Sequence, residues 1–303
     1  FRILEVGAAL AHKLGKPLLA IYDDPHGQRD EIEFYPDDPE RQMHVLNQAA
    51  GVLYMSPLTR DRYVDHGLVE PSKTFCLTDS YPLEAKYYRC ELKTPATKTV
   101  DGSRTDPQKA KPLTMAHLGN LPEWRPIDPL LTALASLDSM PDSPPFRVDF
   151  YGYLYPRAHE LIDGINSNLA RHQLSIHNAV GHLDSHRVAA ASDILLVMIG
   201  LRHLDNQPSK FFVYLGHKKP ILIIGPLGNP IQKIVEDLGI GIYADVRSNT
   251  SIRDGILELT TNYKAYQQAF EKHHQKLKLY GADEVAVNLV AVLDKTLANA
   301  KIV

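Results

Sequence analysis

The feature that most constrains this chain is an alternation. Short apolar runs take turns with longer segments whose apolar residues recur at helical spacing, and the connections between them are brief. In the first part of the chain the runs are Leu18–Tyr22, Gly51–Met55 and Lys73–Leu77. In the second they are Leu113–His117, Phe146–Tyr151, Leu174–His177, Ile194–Met198, Ile221–Ile224 and Gly241–Tyr243. Nearly continuous apolar runs of this length read as strands buried on both faces. The segments between them read as helices: residues 1–14, 39–50, 57–66, 127–137, 159–170, 184–191 and 231–238, with a helical tail over 250–260, 263–279 and 283–299. Strand, helix, strand in succession selects a parallel sheet with right-handed crossovers. The expected fold class is α/β, with two doubly wound parallel sheets.

Residues 91–112 break the alternation. From Glu91 to Gln108 the chain is polar, charged and poor in apolar residues, which reads as a linker or mobile insertion. The expected organisation is a first domain over 1–90, the linker over 91–112, a second domain over 113–282 and a terminal helix over 283–303. At 303 residues the chain suits two domains of ordinary size. It opens at Phe1 directly in an amphipathic helix, stopped by Gly15-Lys16-Pro17, so the first domain is expected to be incomplete, with a portion upstream.

Composition excludes several function classes. A net charge of −3 argues against a nucleic-acid binder held by phosphate neutralisation. Two cysteines, Cys76 and Cys90, are too few for a disulfide framework and point to a reducing compartment. No run approaches the roughly 18–20 apolar residues that span a membrane.

The stretch from Pro208 to Leu222 carries the most chemistry. Pro208 favours the first helical position, which puts Ser209 and Lys210 in the first turn, where backbone N–H groups are unpaired and the helix dipole is positive. Such an end binds anions, and a lysine beside it adds a mobile charge. In isolation Pro-Ser-Lys also reads as an ordinary helix start. Phe211, Tyr214 and Leu215 share one helical face, His217-Lys218-Lys219 forms a turn, and Ile221–Ile224 is a buried strand. Earlier, Asp23, Asp24 and His26 crowd the loop at the carboxyl end of Leu18–Tyr22, where open α/β sheets keep their sites. They suit acid–base work or acceptor contact; Asp23 and Asp24 equally suit capping of the next segment. Gly225–Asn229 is glycine-rich but lacks the glycine–lysine–hydroxyl signature of a phosphate loop, so it reads as a tight turn. His273-His274 has no third ligand near it in sequence, and no metal site is expected.

The second half resembles the nucleotide-binding domain of bacterial family 4 glycosyltransferases, which build cell-surface polysaccharides. The residues that carry the resemblance are Gly119 at the end of a strand with Arg125 shortly after; Phe150-Tyr151-Gly152; Gly181 through Asp193-Ile194; Pro208-Ser209-Lys210 with Tyr214-Leu215 and Lys219-Pro220-Ile221-Leu222; and Glu236-Asp237-Leu238-Gly239. It covers about residues 113–245 well and 1–85 loosely. The resemblance implies a GT-B architecture of two Rossmann-like domains with a nucleotide sugar, UDP- or GDP-linked, between them. It implies transfer of the sugar to a saccharide or lipid-linked hydroxyl acceptor with retention, and no metal or other cofactor. It implies a cytoplasmic protein with peripheral contact at the inner face of the membrane. Donor binding would fall to Gly119, Arg125, Gly152, Gly181, His182, Leu183, Asp205, Pro208, Ser209 and Lys210. Catalysis would fall to Asp23, Asp24 and His26, and the terminal helix would pack back on the first domain. The chain departs from the family at Val213, where a ribose-binding Glu is usual, and at Asn120, where a basic residue is common. Two other readings share the pattern: a non-catalytic GT-B-like binding protein, and a sugar-nucleotide epimerase.

Overall fold

A computed structural model describes residues 2–22, 38–84, 87, 112–141 and 143–300 of the chain. Two compact units emerge. One holds Phe1–Ser80, Asp205–Ser209 and Lys278–Val303; the other holds Tyr81–Leu204 and Lys210–Leu277. The expected linker lies outside the described residues except for its last position.

The first unit runs α1 (Arg2–Leu14), β1 (Leu18–Tyr22), α2 (Asp38–Gln48), β2 (Ala49–Tyr54), α3 (Pro57–Asp65) and β3 (Thr74–Cys76). The strands form a three-stranded parallel sheet in the order β1-β2-β3. Gly15, at φ +59°, ends α1 in the left-handed conformation that a side chain would resist. Strand β2 begins two residues before the expected Gly51, because Ala49 pairs with Leu18 of β1 instead of extending the preceding helix, with Ala50 at a shift in the register. Tyr22, Tyr54 and Tyr63 pack ring to ring at 5.1–5.6 Å within this unit's core.

The second unit continues with β4 (Leu113–Leu118), α4 (Asp128–Asp138), β5 (Phe146–Tyr151), α5 (Pro156–Asn166), β6 (Gln173–His177), α6 (His182–Ala191) and β7 (Ile194–Met198). After these come α7 (Ser209–His217), β8 (Ile221–Gly225), α8 (Pro230–Leu238), β9 (Gly241–Asp245), α9 (Asn249–Thr261), α10 (Tyr263–Lys272) and α11 (His274–Leu277). Its six parallel strands lie in the order β6-β5-β4-β7-β8-β9. The apolar side chains of α4, α5 and α9, among them Leu130, Leu134, Ile162, Ile252 and Ile256, pack on Met115, Val148, Leu196 and Leu222 of one sheet face. Each such side chain taken out of water contributes about 1.5–3 kcal/mol before conformational entropy is subtracted.

Two helices differ from the sequence expectation. Helix α5 starts at Pro156, three residues before the expected His159, since proline suits a first helical position whose N–H has no partner. The segment expected as one helix over 263–279 divides at His273, whose conformation (φ −106°, ψ 19°) leaves the helical range. The last helix, α12 (Ala282–Ala300), belongs to the first unit. It covers the face of β2 opposite the tyrosines. A Cβ on Gly51 would fall on the Thr296 side chain, and Asn299 Nδ2 donates to the Ala50 carbonyl at 3.3 Å.

The strand order reverses between β4 and β7. Chain segments leave that point in opposite directions, so the carboxyl ends of these two strands border a crevice where open α/β sheets bind ligands.

Candidate functional site

The loop that leaves β4 and the helix that follows β7 meet at this reversal. Phe211, Phe212, Tyr214 and Leu215 are all buried, so helical spacing alone seats α7 on the sheet. The Tyr214 hydroxyl oxygen accepts the Leu118 N–H at 3.2 Å and ties the helix to the last residue of β4. With the helix seated, the first turn of α7 stands at the strand end.

Lys210 is half-buried there, directly over Gly119, and a Cβ on Gly119 would fall on its Nζ. Gly119 has φ +126°, a backbone that side chains rarely adopt. Gly152, at φ +138°, lies against it: a Cβ on Gly152 would stand 2.7 Å from the Gly119 carbonyl carbon and oxygen. These glycines therefore permit a close stacking of two strand ends under a lysine. Burial first, and then the nearby Arg125 guanidinium, together lower the Lys210 ammonium to about 8. A half-buried cation next to a second cation is an electrostatically unfavourable arrangement that an anion relieves.

The structure thus brings Gly119, Arg125, Gly152 and Lys210 together. Gly181 caps α6 from an extended conformation, with His182 and Leu183 exposed in the first turn, so these three stand at another helix start after β6. Ser209 is exposed as the first residue of α7, with Pro208 before it. Asp205 is engaged elsewhere: its carboxylate is 5% exposed, pairs with Arg62 at 3.2 Å and accepts the Thr59 hydroxyl at 3.3 Å. Asp23, Asp24 and His26 lie outside the described residues. Val213 is half-buried on α7. Gly225–Asn229 is a turn whose Asn229 side chain caps α8 by accepting from Ile231 N at 3.0 Å. Among the described residues no group of three histidine, cysteine, aspartate or glutamate side chains is placed to hold a metal ion. Nor is any described helix long and apolar enough to cross a membrane.

Two histidine features escape a reading of the sequence. His117 sits in β4 with 1% of its surface exposed, and its Nδ1 donates to the Leu196 carbonyl of β7 at 3.0 Å, across the strand reversal. His186 of α6 and His217 of α7 are buried with Nδ1 and Nε2 at 3.0 Å. His117 is flanked by Ala116 and Leu118 as any core position would be, while His186 lies between Ser185 and Arg187 and His217 between Gly216 and Lys218, as surface histidines often do, so no local pattern marks either feature.

The fold is α/β with two parallel sheets, and it is shared with GT-B glycosyltransferases of known structure. Over 97% of this chain, sucrose-phosphate synthase from Thermosynechococcus elongatus superposes with a TM-score of 0.67 at 13% identity, covering 71% of that protein. HepE of Anabaena, solved with UDP-glucose, gives 0.69 at 14% identity over 97% of this chain and 76% of its own. A putative UDP-N-acetylglucosamine 2-epimerase from Listeria monocytogenes gives 0.55 at 12% identity over 95% and 70%. The sequence matches no family model and no curated protein.

Proposed function

We propose that this chain binds a nucleotide sugar by its diphosphate at the start of α7. On this reading it transfers the sugar, with retention, to a hydroxyl acceptor in cell-surface polysaccharide or glycolipid synthesis. The observation that carries the reading is the placement of Lys210 over Gly119, beside Arg125, at the strand reversal. When the bond between the anomeric carbon and the diphosphate oxygen breaks, negative charge grows on the departing diphosphate. On this reading Lys210, Arg125 and the first turn of α7 meet that charge, and preorganised groups of this kind usually supply the largest catalytic contribution. The reading takes Pro208 and Ser209 as the helix entry and the α6 start, Gly181–Leu183, as the nucleobase end. It needs no metal and places the reaction in the cytoplasm, with the acceptor at the inner membrane face. The UDP-glucose held by HepE supports a nucleotide-sugar donor.

Thermal unfolding with UDP, GDP, UDP-glucose and GDP-mannose tests the binding step. A ligand at 100 times its dissociation constant should add about 2.7 kcal/mol to the folded state. No stabilisation by any of the four overturns the reading. Incubation with the stabilising donor then distinguishes outcomes by product. A transferase releases nucleoside diphosphate and an unaltered sugar, slowly to water and faster to an acceptor. An epimerase, the second reading favoured by the Listeria likeness, releases an altered sugar. A binding protein releases neither.

A further inference from the structure

His117 is buried at the strand reversal, and its bond to the Leu196 carbonyl uses one ring nitrogen of two. An apolar residue would fill the same place in β4, whose neighbouring positions Met115 and Leu113 belong to the core. Its Nδ1 bonds the Leu196 carbonyl, so in the neutral ring Nδ1 carries the proton and Nε2 carries a lone pair. That Nε2 is buried without a well-formed hydrogen bond. The Gly119 backbone beside the ring favours a second ring proton, as the Leu196 carbonyl does. The groups that oppose a second proton are burial and two cations: Lys210 from α7 and Arg125 from the loop after β4. On the β5 side the Phe150 ring stands 6.3 Å away between centroids, and β7 offers the Leu196 carbonyl.

The Gly119 carbonyl belongs to a planar trans peptide, so the Asn120 N–H on the same peptide points the opposite way. The neighbouring amides are engaged: Gly119 N donates to Tyr151 O at 2.7 Å and Leu121 N to Tyr153 O at 2.8 Å. Asn120 N has no acceptor among the described residues. No Cβ covers this peptide, since both Gly119 and Gly152 lack one where it would intrude.

We propose that His117 is a positioning residue: when a diphosphate neutralises Lys210 and Arg125, the ring takes up a proton, donates to the Gly119 carbonyl and fixes the Asn120 N–H toward the anion. The inference rests on diphosphate binding at Lys210. The proton comes from solvent and returns to it when the ligand leaves, so binding and proton uptake are linked.

UDP-glucose is a suitable probe because its diphosphate diester has no group titrating near neutrality. Calorimetric titration in two buffers of different ionisation heat, at pH about 6, reads the protons taken up per ligand. The wild type should take up close to one, and its affinity should weaken by up to about tenfold per pH unit as pH rises across the linked range. His117→Gln should still bind, with the uptake lost. Binding without uptake, or with uptake unchanged in His117→Gln, overturns the proposal. If that variant does not fold, ring-nitrogen NMR of the wild type decides. A His117 ring neutral alone and protonated with UDP-glucose at pH about 6 supports it, and a ring neutral in both refutes it. Absence of UDP-glucose binding together with absence of binding by the other nucleotides removes the diphosphate reading and this inference with it.

Discussion

Lys210 is a residue whose position is unfavourable for the empty fold and favourable for a complex. Its ammonium is lowered to about 8 from the ordinary 10.5, first by burial and then by Arg125. A lysine with a depressed folded value destabilises the folded state while charged, and that penalty is relieved as pH rises from about 8 towards 10.5. Lys210→Met should therefore raise stability, on the order of 1–3 kcal/mol near neutral pH, while weakening nucleotide binding by about 10- to 100-fold. Chemical denaturation and a binding titration on the same preparation check both halves. Affinity of the wild type for a diphosphate should also fall as pH rises through about 8, because the free site then loses its cation. Gly119→Ala should behave in the opposite sense for stability. Its φ of +126° and the Lys210 Nζ in the path of the new Cβ should lower stability by about 1–3 kcal/mol and weaken binding as well. Loss of binding with unchanged stability in that variant would show that the glycine is not strained as the geometry requires.

At the scale of elements, α6 and α7 are joined by the His186–His217 contact at 3.0 Å, with the Tyr87 ring 4.6 Å from that of His186. Burial lowers His217 to about 3, followed by the neighbouring His186 and Lys219, and burial and His182 lower His186. Both rings fold in the neutral form. Stability from this pair is complete above the unfolded value near 6.5 and is lost progressively as pH falls below it towards about 3. At pH about 5 the loss should be on the order of 2 kcal/mol. Urea unfolding at pH about 7 and about 5 measures it, and His217→Gln should flatten the difference; an unchanged acid sensitivity in that variant would assign the loss to other groups. The apolar period of α7 was legible from Phe211, Tyr214 and Leu215, yet the hydroxyl bond from Tyr214 to β4 was not, because its partner is a backbone N–H 96 positions away.

For the whole molecule, chain order and packing order differ. Helix α12 closes the sequence and belongs to the unit that opens it, with Thr296 against Gly51 and Asn299 bonded to Ala50 and Ser72 carbonyls. Removing residues 278–303 should uncover one face of β2 and destabilise the first unit while leaving the second folded. Hydrogen exchange should then rise in β1–β3 and stay protected in β4–β9. Uniform loss of protection would mean that the two units unfold together.

The amino-acid sequence by itself determined the element types and the parallel sheets, since these follow from apolar period and strand-helix alternation, both local quantities; the helix after β7 starts at Ser209, one residue later than the expected Pro208. The sequence also marked Gly119, Gly152 and Lys210, although not their contact. Only the tertiary structure decided that β4 and β7 lie side by side, which sets His117 against Leu196 and the lysine over the glycine, and that Asp205 is held by Arg62. Those pairings join residues far apart in sequence, and their energies depend on burial and distance, which no local pattern of residues encodes.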